Sequence, residues 1–188
     1  MLFVISAPSG TGKTTLVKRL LKELPRLRLS VSTTTRPPRK GEVEGVDYHF
    51  VSLDEFNERK KKGEFIESAE VHGACYGTSQ YLLQRDEEEQ YDTLFDIDTQ
   101  GALNLKKERP EAILIFLMPP SLADLEERLK KRGTEGEADL KRRLARAQSE
   151  MAVKDHYDYV IMNDKLEEAY KALKGLIEEK RQKKNALS

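Results

Sequence analysis

The chain opens with a short apolar run that breaks directly into a glycine-rich turn. Leu2–Ser6 is predicted to be a buried strand, and APSGTGKT follows it before a stretch with helical spacing of leucines. Glycine lets the backbone turn with several N–H groups facing inward, and a helix beginning near Lys13 points its positive end at the same place. A turn of this kind is a preformed anion site.

The residues of the turn match the pattern G-x-x-x-x-G-K-[ST] from position 7, except that Ala7 replaces the first glycine. Alanine is tolerated there if its φ stays negative. Lys13 is then expected to reach the β- and γ-phosphates of ATP, and the Thr14 hydroxyl to ligate Mg²⁺. An ordinary glycine-rich turn is the alternative, and the strand before and the helix after speak against it. The predicted ATP-binding residues of this P-loop are Ala7, Pro8, Ser9, Gly10, Thr11, Gly12, Lys13, Thr14 and Thr15.

Strand-like and helix-like stretches alternate along the chain. The predicted strands are 2–6, 93–97, 112–118 and 159–162, and the predicted helices are 13–24, 100–107, 122–131, 140–153 and 166–183. A capping box at Ser52 and Glu55 predicts a further helix, and Ser121 and Asp124 form a similar cap. The predicted fold class is therefore α/β, a doubly wound parallel sheet of the P-loop NTPase type with helices on both faces.

Two stretches interrupt this alternation. Residues 33–81 are rich in Gly, Pro, Tyr and charge, with strand signals at 48–51 and 65–71, and we expect a small mixed α+β insertion there. Residues 126–146 carry eight basic and five acidic side chains around a glycine-bearing turn between two predicted helices. A solvated helix pair with salt bridges is one interpretation of this second stretch, and the family resemblance described below implies a short helical lid instead. The segments 1–32, 82–125 and 147–188 form the predicted core domain.

Balanced charge limits the partners of this chain. Its 188 residues include 33 Lys and Arg and 33 Asp and Glu, which give no overall field for nucleic acid or an anionic membrane. No stretch approaches the length of a membrane span. The lone cysteine, Cys75, cannot form an intramolecular disulfide, which favours a reducing compartment. We therefore expect a cytoplasmic protein, a monomer or homodimer, with small-molecule substrates and without nucleic-acid or membrane partners.

The insertion carries side chains suited to a phosphate dianion. Arg36 and Arg39 lie three residues apart around two prolines, and Tyr48 follows shortly after. Two rigid guanidinium forks near a phenol match the oxygens of a phosphate. Further polar candidates in the insertion are Glu67, Tyr76 and Thr78.

Two carboxylates end the predicted strand 93–97. Asp96 and Asp98 belong to the sequence DIDTQG. A doubly wound sheet binds its ligands at the carboxyl ends of its strands. Both residues are therefore candidates for a site beside the glycine-rich turn.

Longer motifs give the chain a resemblance to a known family. It resembles the guanylate kinases, of the nucleoside monophosphate kinase family, in SAPSGTGKT, SVSTTTRPPRKGEVEGVDYHFV, EFIE, YGTS, DIDTQG, RLKKRGTE and VIMND. These motifs come in the family's order over nearly the whole chain. The resemblance implies that GMP is held by Ser32, Arg36, Arg39, Tyr48, Glu67, Tyr76, Thr78 and Asp98. Many relatives carry Ser at position 78, and Thr keeps the hydroxyl.

The same resemblance implies the catalytic residues, which are Lys13, Arg36, Arg39, Asp96, Arg132 and Arg143. Asp96 matches an acidic residue near Mg²⁺ and its waters, so Thr14 and Asp96 are the predicted metal site. Arg132 and Arg143 match lid arginines that close on the phosphates, whereas we expect the other basic residues of 126–146 to be mostly on the surface. Arg132 also belongs to the predicted ATP site.

Asn163 completes the predicted ATP site, because it matches a position near the adenine of ATP in the family that the chain resembles. A polar residue that merely ends a strand is the alternative for this position. Asn163-Asp164-Lys165 also differs from the Asn-Lys-x-Asp motif of P-loop GTPases, which disfavours that class.

Guanine chemistry agrees with the implied acceptor. Guanine presents N1–H and an amino group as donors, which require acceptors such as the carboxylates of Glu67 and Asp98, whereas adenine would leave polar groups unpaired. The resemblance therefore implies Mg²⁺-dependent transfer of the γ-phosphoryl group of ATP to GMP, with dGMP as a further acceptor. The alternative is a catalytically weak guanylate-kinase-like module that binds proteins, and the intact phosphate machinery speaks against it.

Overall fold

The structure, a computed structural model, describes residues 1–71, 73–131 and 137–187. Its strands are β1 (Leu2–Ser6), β2 (Leu27–Leu29), β3 (Thr33–Thr34), β4 (His49–Phe50), β5 (Phe65–Val71), β6 (Ala74–Ser79), β7 (Asp92–Asp96), β8 (Ile113–Met118) and β9 (Tyr159–Met162). Its helices are α1 (Lys13–Glu23), α2 (Leu53–Lys61), α3 (Gln80–Glu88), α4 (Thr99–Glu108), α5 (Leu122–Lys131), α6 (Glu137–Ala152) and α7 (Leu166–Leu187), with a 3₁₀ turn at Lys154–His156.

A five-stranded sheet in the order β2-β7-β1-β8-β9 forms the centre of the molecule, and all its strand pairs are parallel. Successive side chains of a strand point to opposite faces of the sheet, so β1 contributes side chains to two hydrophobic cores. Phe3 and Ile5 pack with α1 and α7 on one face, whereas Leu2 and Val4 pack with α3 and α4 on the other. This arrangement confirms the predicted α/β fold with a parallel sheet covered on both faces.

A second, mixed sheet in the order β4-β3-β6-β5 lies beside the central one. Strands β3 and β4 are parallel, and β6 runs antiparallel to both β3 and β5. Gly77 is required in β6 because a Cβ there would lie 2.9 Å from the Phe65 ring. The domain boundaries at residues 33–81 and 126–146 stay predictions.

Some elements escape the sequence patterns. Strand β2 has three residues, too few to display alternation, and β6 and α3 follow one another without a loop. Helix α6 begins at Glu137, three residues earlier than predicted, and α7 continues to Leu187. Both predicted caps are confirmed, because the Ser52 and Ser121 hydroxyls accept hydrogen bonds from the N–H groups three residues on.

None of the helices within the described ranges has the length and apolar character that crossing a bilayer requires.

Candidate active site

The turn between β1 and α1 borders a cavity of about 970 Å³, here named the loop cavity. Gly10 and Gly12 have φ of +96° and +95°, which L side chains rarely adopt, and this explains why glycine stands at both positions. Positive φ occurs at only two non-glycine residues of the described chain, Arg26 and Gln90, so Ala7 has the negative φ that its substitution for glycine requires. The loop cavity is lined by Ala7, Pro8, Ser9, Gly10, Gly12, Lys13, Thr14, Thr15, Arg39, Arg142, Arg143, Arg146 and Glu150.

The parallel pairing of β1 with β7 brings Asp96 to the loop, because Ile5 lies opposite Asp96 in the register. The Lys13 ammonium forms an ion pair with the Asp96 carboxylate and donates to the Ile97 carbonyl at 3.3 Å. Thr14 is exposed beside them. The fold therefore brings together the lysine predicted to bind phosphate and the hydroxyl and carboxylate predicted to bind the metal. These groups come from segments more than 80 residues apart in the sequence.

A second cavity of about 250 Å³, here named the sheet cavity, lies between the second sheet and the end of β7. Lys13 and Thr14 line this cavity as well as the loop cavity, so the two spaces meet at these residues. The remaining lining residues are Ser32, Tyr48, Glu67, Ala69, Val71, Tyr76, Asp96, Ile97, Asp98 and Gly101.

Two carboxylates converge at the inner end of the sheet cavity. Asp98 caps α4, with Oδ1 accepting from the Gly101 N–H at 2.9 Å. A Cβ at Gly101 would lie 3.2 Å from Glu67 Oε2 and 3.3 Å from Asp98 Oδ1, so glycine lets both carboxylates approach the start of the helix. Such a pair offers several acceptor oxygens to one ligand edge.

Glu67 is the more buried of the two, with 8% of its surface exposed. Thr78 lies behind it, fully buried, and donates its hydroxyl proton to Glu67 Oε1 at 2.6 Å. Burial raises the pKa of Glu67 to about 7, and the nearby Asp98 charge adds to the rise, while the Thr78 hydrogen bond opposes it. The Thr78 hydroxyl therefore orients the Glu67 carboxylate.

Sequence reasoning missed Glu42, which holds the side chain of Arg36 and the backbone of Arg39. Its carboxylate accepts from Arg36 Nη2 at 2.8 and 2.9 Å and from the Arg39 backbone N–H at 2.7 Å. The Arg36 guanidinium also lies 5.4 Å from the centre of the Tyr48 ring. The signal for Glu42 is that it is the first carboxylate after three basic residues in a proline- and glycine-rich loop.

Tyr48 and Tyr76 meet edge to face, with ring centres 5.9 Å apart. Burial, followed by the Asp96 charge, raises the pKa of Tyr48 to about 12, so its phenol is a hydrogen-bond donor at neutral pH. Both phenols and Ser32 line the sheet cavity, whereas Arg39 lines the loop cavity. Ser32, Tyr48 and Tyr76 of the predicted GMP site are thus brought together in the sheet cavity, and Arg39 lines the loop cavity that meets it at Lys13 and Thr14.

Helix α6 presents arginines to the loop cavity. Arg143 donates to the hydroxyl of Ser9, and Arg146 lies one turn further along on the same face. Arg146 Nε donates to Glu150 at 2.8 Å, and Arg146 Nη2 lies 3.5 Å from Asp98 Oδ2. Arg146 belongs to the basic residues expected to be mostly on the surface, and its half-buried side chain lines the loop cavity. Its spacing of three from Arg143 is the signal that could have found this position. Arg132 lies outside the described residues.

Asn163 directly follows β9 and is 2% exposed. Its side-chain amide donates to the Thr11 carbonyl at 2.6 Å. Thr11 is also buried, with 1% of its surface exposed. Asn163 therefore supports the loop from behind through the Thr11 carbonyl.

Comparison with known proteins gives one consistent result. The guanylate kinase family model matches residues 1–180. The guanylate kinase of Thermotoga maritima is 45% identical over 182 residues, which cover 97% of this chain and 88% of the relative. That of Maricaulis maris is 48% identical over 185 residues, covering 98% and 85%. The crystal structure of guanylate kinase from Anaplasma phagocytophilum superposes with a TM-score of 0.80 at 36% identity, covering 96% of this chain and 85% of that one.

This chain belongs to the guanylate kinase family. It is therefore an enzyme, an ATP:GMP phosphotransferase, and the alternative of a catalytically weak binding module is not favoured. The family expectation drawn from the motifs is confirmed.

Proposed function

We propose that the protein transfers the γ-phosphoryl group from ATP in the loop cavity to GMP in the sheet cavity, with dGMP as a further acceptor. The observation that supports binding the two nucleotides in separate cavities is that Lys13 and Thr14 line both of them. A phosphoryl group can then pass between two bound nucleotides without a covalent enzyme intermediate. Catalysis consists of positioning the two nucleotides and neutralising charge.

Glu67 and Asp98 recognise the guanine base in this proposal. Their carboxylates accept hydrogen bonds from guanine N1–H and the amino group, while Ser32 lines the same cavity and Thr78 orients Glu67. Adenine would turn its N1 acceptor toward a carboxylate and leave buried polar groups unpaired. Discrimination against AMP of several orders of magnitude is expected from such a mismatch.

The GMP phosphate is bound by Arg36, Arg39, Tyr48 and Tyr76. Glu42 holds Arg36 with two hydrogen bonds, which orients its guanidinium fork before the substrate arrives. A preoriented fork loses less side-chain entropy on binding a phosphate.

Thr14 and Asp96 suit Mg²⁺, because a hydroxyl and a carboxylate are hard oxygen donors at the point where the cavities meet. The described residues contain no group of three or more His, Cys, Asp or Glu that could hold a metal, and Mg²⁺ at kinase sites needs only one or two protein ligands besides phosphates and water. When bound, Mg²⁺ neutralises charge on the β- and γ-phosphates. Lys13 must exchange its Asp96 partner for phosphate oxygens when ATP binds.

The lid arginines complete the site. The hydrogen bond from Arg143 to the Ser9 hydroxyl supports a role for Arg143 in contacting the transferring phosphate, and Arg132 is proposed to act with it. Closure of the lid excludes water, which would otherwise hydrolyse ATP.

Balanced charge supports the absence of nucleic-acid partners, and the single cysteine supports a cytoplasmic location. The assembly, a monomer or a homodimer, is checked by light scattering in solution.

A coupled assay of ADP release tests the proposed function. ATP·Mg²⁺ is combined in turn with GMP, dGMP, AMP, CMP or UMP. We expect turnover that depends strongly on GMP, is weaker with dGMP and is negligible with AMP. A folded, ATP-binding protein without GMP-dependent turnover would contradict the proposal.

A further inference from the structure

Asn163 is tied to the phosphate-binding loop across 152 positions of the chain. Its backbone N–H donates to the Met118 carbonyl at 2.8 Å, which anchors the residue at the end of the central sheet. Its side chain donates to the Thr11 carbonyl at 2.6 Å. Only the amide nitrogen of an asparagine side chain can donate to a carbonyl, so the chemistry decides the orientation of the amide. Asn163 Oδ1 therefore points away from Thr11.

The hydrogen bond controls the peptide between Thr11 and Gly12. A trans peptide is planar, and its C=O and N–H point in opposite directions. Holding the Thr11 carbonyl against Asn163 turns the Gly12 N–H toward the other side of the loop, where Gly12 lines the loop cavity. A flipped peptide would present a carbonyl oxygen to the phosphates instead of a donor.

Close packing keeps this peptide in place. A Cβ at Gly12 would lie 3.0 Å from Asn163 Nδ2, and a Cβ at Gly10 would lie 2.9 Å from Leu129 Cδ2. The two glycines of the loop are thus backed by different elements, the end of β9 and helix α5. The loop has little room to adopt another backbone conformation.

Helix α5 supports Asn163 as well. Arg128 donates from Nη1 to the Asn163 carbonyl at 3.0 Å and from Nη2 to the Asp164 carbonyl at 3.2 Å. Arg128 lies next to Leu129, which packs on Gly10. The loop, α5 and the end of β9 therefore form one connected unit.

We propose that Asn163 is a positioning residue for the triphosphate, which acts by holding the Thr11–Gly12 peptide, and that it does not recognise adenine. The inference rests on the proposed binding of ATP in the loop cavity. Asn163 is 2% exposed and is not among the described residues that line that cavity, which supports an indirect role.

The inference predicts that a substitution of Asn163 has the same effect on kcat/KM whichever base the nucleoside triphosphate carries. Asn163→Ala removes the donor, and Asn163→Asp keeps an oxygen for any base contact while it turns a second oxygen toward the Thr11 carbonyl. We expect both variants to lower kcat/KM at least tenfold with ATP and by the same factor with UTP. The ATP-to-UTP ratio should stay within twofold of that of the wild type.

We expect the dissociation constant for GMP to be unchanged in each variant, and this shows that the variant is folded. If Asn163→Asp fails this check, the result for Asn163→Ala decides. Asn104→Ala on α4 is the matched control, because it removes an amide hydrogen-bonded to Gln100 and lines neither cavity in the described chain. The inference is overturned if the ratio of kcat/KM with ATP to that with UTP changes more than twofold. It is also overturned if the variants keep the wild-type kcat/KM with both nucleotides. Loss of the proposed function itself is recognised separately, because the wild-type protein would then lack GMP-dependent turnover.

Discussion

Replacing Glu67 by glutamine should stabilise the protein and impair its use of GMP at the same time. Glu67 is 8% exposed, and burial raises its pKa from the ordinary 4.5 to about 7. The native state therefore binds this proton more tightly than the unfolded state does. The contribution of the protonated carboxyl to the unfolding free energy is fully present below pH 4.5, and it is lost as the pH rises through 7.

The raised pKa gives the magnitude of the effect. At 1.36 kcal/mol for each pH unit between the two pKa values, the raised pKa of Glu67 costs about 3 kcal/mol of unfolding free energy at pH 8, where the group is ionised in both states. The cost is about 1 kcal/mol at pH 5, where it ionises mainly in the unfolded state. Glutamine cannot ionise and can still accept the Thr78 hydrogen bond. We therefore expect Glu67→Gln to raise the unfolding free energy by about 2 kcal/mol more at pH 8 than at pH 5.

Urea denaturation of both proteins at the two pH values measures this difference. Glu70→Gln is the matched control, because Glu70 is exposed on the same strand, β5. It should change stability by a similar, small amount at both pH values. A gain for Glu67→Gln that is equal at pH 5 and pH 8 would refute the reasoning.

Activity should move in the opposite direction. A glutamine amide turns an NH₂ group toward one of the two guanine donors, which leaves that donor buried and unpaired. We expect kcat/KM for GMP to fall about 100-fold, or about 3 kcal/mol, while KM for ATP changes little. In the wild type, the same chemistry predicts that KM for GMP rises as the pH falls below 7. An unchanged preference for GMP over AMP would exclude Glu67 as the guanine-binding residue.

Three further substitutions test other parts of the structure. Lys13→Ala should lower kcat by several orders of magnitude in the coupled assay, because it removes the charge shared by the two cavities. Glu42→Gln should raise KM for GMP about tenfold, since Arg36 loses its charged partner. Gly77→Ala should lower the unfolding free energy in urea by about 1–3 kcal/mol, because a Cβ would meet the Phe65 ring at 2.9 Å.

Each of these changes has a control elsewhere in the chain. Lys18→Ala and Glu58→Gln alter exposed positions on α1 and α2 and should leave the kinetics unchanged. Gly175→Ala, in helix α7 with nothing within 4 Å of the added Cβ, should stabilise the protein by about 0.5–1 kcal/mol. Near wild-type turnover for Lys13→Ala, an unchanged KM for Glu42→Gln, or a stabilised Gly77→Ala would each contradict the corresponding argument.

Burial could not be predicted from sequence for the polar residues of the site. Glu67 and Thr78 are eleven positions apart, and the antiparallel pairing of β5 with β6 places them opposite each other. Arg146 was expected on the surface because it lies in a run of charges, yet the packing of α6 turns it toward Asp98. Such outcomes depend on which face of an element meets a neighbour. The spacing of Arg143 and Arg146 places them on one face of α6 but does not say which neighbour that face meets.

The sequence by itself determined the glycine-rich turn, the alternation of strands and helices, and the residue types available to phosphate and guanine. These features depend on local spacing and backbone conformation, which neighbouring residues control. Only the tertiary structure decided that Asp96 pairs with Lys13, that Glu42 holds Arg36 and that Asn163 supports Thr11. Apart from the short Glu42 contact, these pairs are formed by the order of strands in the sheet. Strand β7 lies next to β1, and β9 lies beyond β8 on the other side, so residues distant in sequence meet at one edge.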